Sequence, residues 1–145
     1  MFRCASCGAL NRVARGREGS PVCGKCQKPV DVSGRPQEVD AEAFSRAVAS
    51  SPVPVLVDFW APWCGPCRAV APMVEQLGRA HAGQLLVLKL NTEDHPGPSS
   101  RLGIQGIPTF IVFSGGREVS RRAGALPLAE LQRFVSPHLG AASHA

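Results

Sequence analysis

The chain has 145 residues, 44% hydrophobic and 19% charged, with a formal net charge of +5. That is room for one ordinary domain plus a small appendage, with enough apolar material for a buried core. No apolar run approaches the ~20 residues of a membrane helix, and Met1-Phe2-Arg3-Cys4 lacks the apolar region of a signal peptide, so a cytoplasmic location and no membrane contact are expected.

Residues 1–34 read as a separate module. They show almost no periodicity, a turn signal at Gly19-Ser20-Pro21 and too few apolar residues to build a core, so the segment needs a staple. The staple is legible in the cysteines. Cys4-Ala5-Ser6-Cys7 and Cys23-Gly24-Lys25-Cys26 stand fifteen residues apart, the spacing of a four-thiolate zinc site. One structural Zn²⁺ held by Cys4, Cys7, Cys23 and Cys26 is expected, with two disulfides or two further redox pairs as the competing readings. Such a site is closed, leaving no position for catalytic water. Residues 1–36 also hold seven of the sixteen Lys/Arg but only two of the eleven Asp/Glu. A basic module can attract nucleic acid, but a solvated surface offsetting an anionic metal site is the favoured reading, and nucleic acid is not expected as a partner.

Ser33-Gly34-Arg35-Pro36 reads as a short linker, after which residues 37–140 alternate strands and helices in the order βαβαβαββα. Asp40 is an N-cap for a helix over 41–49, with Phe44 and Val48 on one face. Residues 53–59 form a near-continuous apolar strand of the kind buried on both faces in a parallel sheet. A helix over 66–82 presents Val70, Met73, Val74 and Leu77 as a stripe; Pro66 suits its first turn, and Pro72 is expected to kink it. A strand over 85–90 and a short helix over 98–102 follow. Strands over 109–114 and 118–122 make a hairpin across Gly115-Gly116, and a last helix over 128–139 aligns Leu128, Leu131, Val135 and Leu139. The fold class is α/β, a mixed central sheet flanked by helices and preceded by a zinc-ribbon-like module.

The third pair, in Trp63-Cys64-Gly65-Pro66-Cys67, differs from the others by lying between a buried strand and a helix start. That context suits a redox dithiol. Cys64, just before the helix, gains from free N–H groups and the helix dipole as a thiolate, and is expected to be the attacking nucleophile. Cys67, one turn in and expected to be better shielded, would resolve the mixed disulfide. Asp58 falls inside an apolar strand, where burial raises its pKa, and it could take the proton from Cys67. Lys89, lodged in the next strand, could pair with Asp58. His81, His95, His138 and His144 have no metal-ligand spacing and are read as surface residues.

From about residue 37 to 140 the chain resembles the thioredoxin family. The resemblance rests on residues 57–67 (Val-Asp-Phe-Trp-Ala-Pro-Trp-Cys-Gly-Pro-Cys), on Lys89-Leu90-Asn91, on Gly106-Ile107-Pro108-Thr109-Phe110 and on Gly124-Ala125. With the amino-terminal cysteine pairs, the whole resembles the zinc-containing bacterial thioredoxin-2 type. The resemblance implies a thioredoxin fold with a cis peptide before Pro108, facing the Cys64–Cys67 pair. It implies proton transfer by Asp58 and Lys89, and a substrate surface of Trp63, Gly65, Pro66, Gly106, Ile107, Pro108 and Gly124, supported by Trp60. It also implies a protein-disulfide reductase serving redox homeostasis and the oxidative-stress response. Its partners would be an NADPH-dependent thioredoxin reductase and disulfide-containing client proteins, with no bound organic cofactor. Pro62 stands where many relatives carry an acidic or polar residue, and Ala5 replaces the proline often seen in zinc knuckles. Two rival readings are a disulfide oxidase or isomerase on the same fold, and a zinc-ribbon binding module on a passive scaffold.

Overall fold

The apolar run before Trp60 becomes the central strand of a five-stranded sheet in the computed structural model, which describes residues 1–13 and 21–143. Two short strands come first, β1 (Phe2–Arg3) and β2 (Leu10–Asn11). They are followed by β3 (Gln37–Glu38), α1 (Ala41–Ser50), β4 (Val55–Trp60), α2 (Gly65–Ala80) and β5 (Leu86–Asn91). The chain then forms α3 (Pro96–Arg101), β6 (Thr109–Ser114), β7 (Arg117–Ala123) and α4 (Leu128–Ser143). The expected alternation from residue 37 is therefore present, with element ends displaced by a few residues. The spatial order is β3-β5-β4-β6-β7, in which β5 runs parallel to both β3 and β4 while β6 and β7 are antiparallel.

Local chemistry explains the joints. Asp40 Oδ1 accepts from Ala43 N at 2.7 Å and starts α1. Gly115 and Gly116 both have positive φ (60° and 81°), as the two central residues of a type I′ hairpin turn require. Helix α2 begins one residue earlier than the periodicity suggests, because Cys64 itself is the N-cap.

The period-two alternation of the strands sorts the core into two layers. Leu56, Val87, Phe110 and Val112 face α2 and α4, meeting Val70, Val74, Leu77, Leu131 and Val135. Val55, Val57, Phe59, Leu88, Leu90 and Ile111 face the other way, onto Phe44 and Ala47 of α1. Phe44 stands edge-on to Phe59 and Phe113, at ring separations of 5.9 and 5.7 Å.

The amino-terminal segment has a small cluster of its own, in which Cys4, Cys23 and Val30 are buried with Phe2, Ala9 and Val32 against them. It is tied to the sheet. Arg3 donates to Gln37 Oε1 at 2.8 Å, Gln37 Nε2 donates to the Arg3 carbonyl at 2.9 Å, and the Met1 ammonium donates to the Gly83 carbonyl at 2.9 Å. The linker presses on α2 backbone to backbone: a Cβ on Gly34 would strike the Gly78 carbonyl and lie 2.8 Å from Ala82 Cβ. Two glycines facing each other permit that approach. The turn signal at Gly19-Ser20 and His144 lie outside the described residues. His81, expected as a surface residue, is instead half-buried, with Nε2 2.8 Å from Gln132 Oε1 of α4. It ties the end of α2 to the last helix.

Candidate active site and candidate metal centre

Cys64 and Cys67 are joined as a disulfide at the start of α2, with Cα atoms 5.3 Å apart. Cys64 Sγ accepts from the Cys67 N–H at 3.2 Å, so a free amide of the helix's first turn is aimed at that sulfur. Its other neighbour is the Ile107 carbonyl, 3.9 Å away. The expected difference in shielding is absent, since Cys64 is 4% and Cys67 3% exposed. The turn through Ala61 (0% exposed) buries the first sulfur as deeply as the helix buries the second. What separates the two thiols is the helix amide, not exposure.

Asp58 and Lys89 are directly opposite each other on β4 and β5. The row extends outward, for Glu38 on β3 opposes Lys89, and Phe110 on β6 opposes Asp58. Opposed residues share a face, and this row shares the face of Leu56 and Val87, the one that carries α2. Asp58 is fully buried and, among the described residues, neither carboxylate oxygen has a hydrogen-bond partner. Burial pushes its pKa up to about 7, opposed by the Lys89 ammonium and aided by Glu38. Lys89 Nζ lies 4.4 Å over the Trp60 ring, so its charge is held against an aromatic face.

The expected substrate surface gathers beside Cys64. Trp63 is 65% exposed and its Nε1 donates to Glu93 Oε1 at 2.8 Å. Gly65 and Pro66 are exposed in the first turn of α2, and a Cβ on Gly65 would meet nothing within 4 Å. The Ile107–Pro108 peptide is cis, as expected. Pro108 is buried, Ile107 half-buried and Gly106 exposed. Gly106 is held by the Thr109 hydroxyl, which donates to its carbonyl at 2.5 Å, and Gly124 N donates to the Pro108 carbonyl at 2.8 Å. Sequence reasoning passed over Glu93 and Glu38. Neither lies in a motif, and only packing and strand register bring them to the site.

The other four sulfurs converge as their spacing demands. All lie within 4.8 Å of one another, with Cys4–Cys26 and Cys7–Cys23 each at 3.6 Å, so the group could hold a metal ion. Each Cys-x-x-Cys is a knuckle closed by an amide: Gly8 N donates to the Cys4 carbonyl and Gln27 N to the Cys23 carbonyl, both at 2.8 Å. The amides of Cys26 and Lys25 pull the Cys23 thiol down to about 6. At Cys26 the Lys28 amide acts in the same sense but is outweighed by burial and the other three sulfurs, which push that thiol up to about 11. The protons of this cluster are shared among its members.

A family description named thioredoxin matches residues 35–137. The chain belongs to the thioredoxin family. Thioredoxin 1 of a Nostoc species is 45% identical over 102 residues, covering 70% of this chain and 95% of that protein. The thioredoxin of a Synechocystis species is also 45% identical, over 108 residues, covering 74% of this chain and all of that protein. Chloroplastic thioredoxin M4 of Arabidopsis thaliana is 38% identical over 135 residues, covering 93% of this chain and 69% of that protein. A mutant thioredoxin from Halobacterium salinarum superposes with a TM-score of 0.68 at 25% identity, covering 75% of this chain and 95% of that structure. Thioredoxins are dithiol–disulfide oxidoreductases, and Cys64–Cys67 is the corresponding pair here. The chain is thus a thioredoxin-type disulfide reductase, while its four-cysteine segment precedes the matched residues. Among the described residues, no helix is long and apolar enough to cross a membrane.

Proposed function

We propose that this thioredoxin reduces client-protein disulfides with Cys64 as attacking thiolate and Cys67 as resolving thiol. The observation that carries the reading is the Cys67 amide directed at Cys64 Sγ, above a sheet face bearing a fully buried carboxyl that has no hydrogen-bond partner among the described residues. The Cys64 thiolate attacks one sulfur of the client disulfide; a new S–S bond forms and the first client thiolate leaves. Asp58, assisted by Lys89, accepts the Cys67 proton. The Cys67 thiolate then attacks Cys64 Sγ, the mixed disulfide breaks, and the second client thiolate leaves. Two electrons pass to the client, and Cys64–Cys67 is left oxidised. Trp63, Gly65, Pro66, Gly106, Ile107, Pro108 and Gly124 form the client surface, in which the exposed backbone near Ile107 offers strand-like pairing to an extended peptide. An NADPH-dependent thioredoxin reductase returns the electrons.

The same proposal assigns the chain to the zinc-containing thioredoxin-2 type, with a metal module over 1–34 and a catalytic domain over 37–140. A tetrahedral zinc with ~2.3 Å bonds to sulfur has sulfur–sulfur edges of about 3.8 Å, and the two 3.6 Å pairs here fit it. When bound, zinc supplies a closed four-thiolate cross-link. Redox homeostasis and the oxidative-stress response in the cytoplasm are the physiological setting we infer.

The deciding experiment is insulin reduction with NADPH and thioredoxin reductase. Cys64→Ser should be inactive, and Cys67→Ser should accumulate mixed disulfides with clients. Full activity of Cys64→Ser would overturn the assignment.

A further inference from the structure

Three charged residues stand in one row on neighbouring strands: Glu38, Lys89 and Asp58. Lys89 is flanked by a carboxyl on each side, one fully buried and one at the exposed edge of the sheet. An open groove of about 490 Å³ runs along this edge between the linker and α2, lined among others by Glu38, Lys89, Arg68 and Glu75. The buried Asp58 is thus one lysine away from solvent. Among the described residues Lys89 makes no ion pair with either acid, and its Nζ rests over Trp60 instead.

We propose that Glu38 is a positioning residue for the disulfide exchange, competing with Asp58 for the Lys89 ammonium and so setting how readily the buried carboxyl gives up its proton. The inference rests on the reading of Asp58 as the base for Cys67. Two effects of Glu38 act in one direction: its charge repels the Asp58 carboxylate, and it draws Lys89 toward the groove. Both favour protonated Asp58. Glu38 itself keeps an exposed surface, yet its carboxyl loses enough hydration that its pKa rises, with Lys89 opposing that rise.

The other charged or titratable groups around Asp58 do not supply this effect. From α2 the charged residues that line the groove are Arg68 and Glu75, which are of opposite charge. From β6 the opposing residue is the apolar Phe110, and beyond it Arg122 of β7 is engaged by Glu130 of α4 at 3.7 Å. Asp94 and His95 lie near Glu38, but among the described residues Glu38 is the one acid in register with Lys89 besides Asp58 itself.

The test is a carbon-13 NMR titration of the Asp58 carboxyl in the reduced full chain. One charge two strands away, about 10 Å, acts across a partly solvated groove, so Glu38→Gln should lower the Asp58 midpoint by roughly half a pH unit. Glu38→Asp, which keeps the charge, should stay near the parent midpoint. The acid limb of insulin reduction should move with the titration in Glu38→Gln. An unmoved or raised Asp58 midpoint in Glu38→Gln would overturn the proposal. Asp58→Asn separates the two claims. If that variant reduces insulin with the parent rate and pH profile, Asp58 is not the base, and the NMR midpoint still decides whether Glu38 controls its acidity.

Discussion

Asp58 and Lys89 occupy opposed positions on adjacent parallel strands, but neither Asp58 oxygen makes a hydrogen bond or ion pair among the described residues. Lys89 Nζ sits over the Trp60 ring instead. A buried acid with a cation near but not bonded keeps its proton to about neutral pH, because burial outweighs the attraction. An acid so placed can accept a proton and release it again in the neutral range, as a general base for a thiol must.

The same arrangement lowers stability in a predictable pH window. The folded Asp58 midpoint near 7 lies above its ordinary 3.8, so the folded protein holds this proton more tightly than the unfolded chain. Its contribution is full below about pH 4, declines as pH rises, and is lost above about pH 7. About three pH units correspond to about 4 kcal/mol. Asp58→Asn, neutral throughout, should be more stable than the parent by up to that amount at pH 8 and close to it near pH 4. Denaturant unfolding at both values checks this, and equal stability at pH 8 would refute it.

Activity should move the opposite way. Without a base for Cys67, Asp58→Asn should slow insulin reduction by about a hundredfold or more. The rise in rate through pH 7 should flatten. Stopped-flow reduction from pH 5.5 to 9 reads both, and a variant with the parent's slope would remove Asp58 from the mechanism.

The four-sulfur cluster should bind one zinc per chain. Cys4→Ser removes a buried ligand whose partner sulfur, Cys26, lies 3.6 Å away. Zinc content should fall from one to near zero, and NMR signals of residues 1–13 and 21–32 should lose their dispersion, since metal-binding energy of about 10–16 kcal/mol is what holds such modules. Signals of the five-stranded sheet should remain. A folded, zinc-free amino-terminal segment in this variant would exclude a structural metal.

The crossing of Gly34 and Gly78 sets the contact between linker and α2. A Cβ on Gly78 would run into the Gly34 carbonyl and lie 3.4 Å from Val87 Cγ2. Although alanine favours a helix, Gly78→Ala should destabilise the protein by about 1–3 kcal/mol through overpacking. Thermal unfolding measures the loss, and a variant as stable as the parent would mean the linker moves aside freely. Insulin reduction at 25 °C should be retained, since Gly78 is three turns from the dithiol.

The amino-acid sequence by itself determined what local chemistry can determine. The near-continuous apolar run from Val53 to Trp60 marked a strand buried on both faces, Asp40 marked a helix start, and cysteine spacing together with the strand-to-helix setting of Cys64 and Cys67 divided six sulfurs into a four-sulfur cluster and a reactive pair. Each of these signals acts over a few residues or through one shared geometry. Strand order, register and depth were decided only by the tertiary structure, because they arise between segments distant in the chain. Apolar runs placed Asp58 and Lys89 inside strands, but the β4–β5 register made them opposed, and the β3–β5 register added Glu38 to the row. The carbonyl of Ile107 reaches Cys64 across 43 positions of sequence. The equal burial of Cys64 and Cys67 likewise came from packing, through a turn at Ala61 that no local propensity announces.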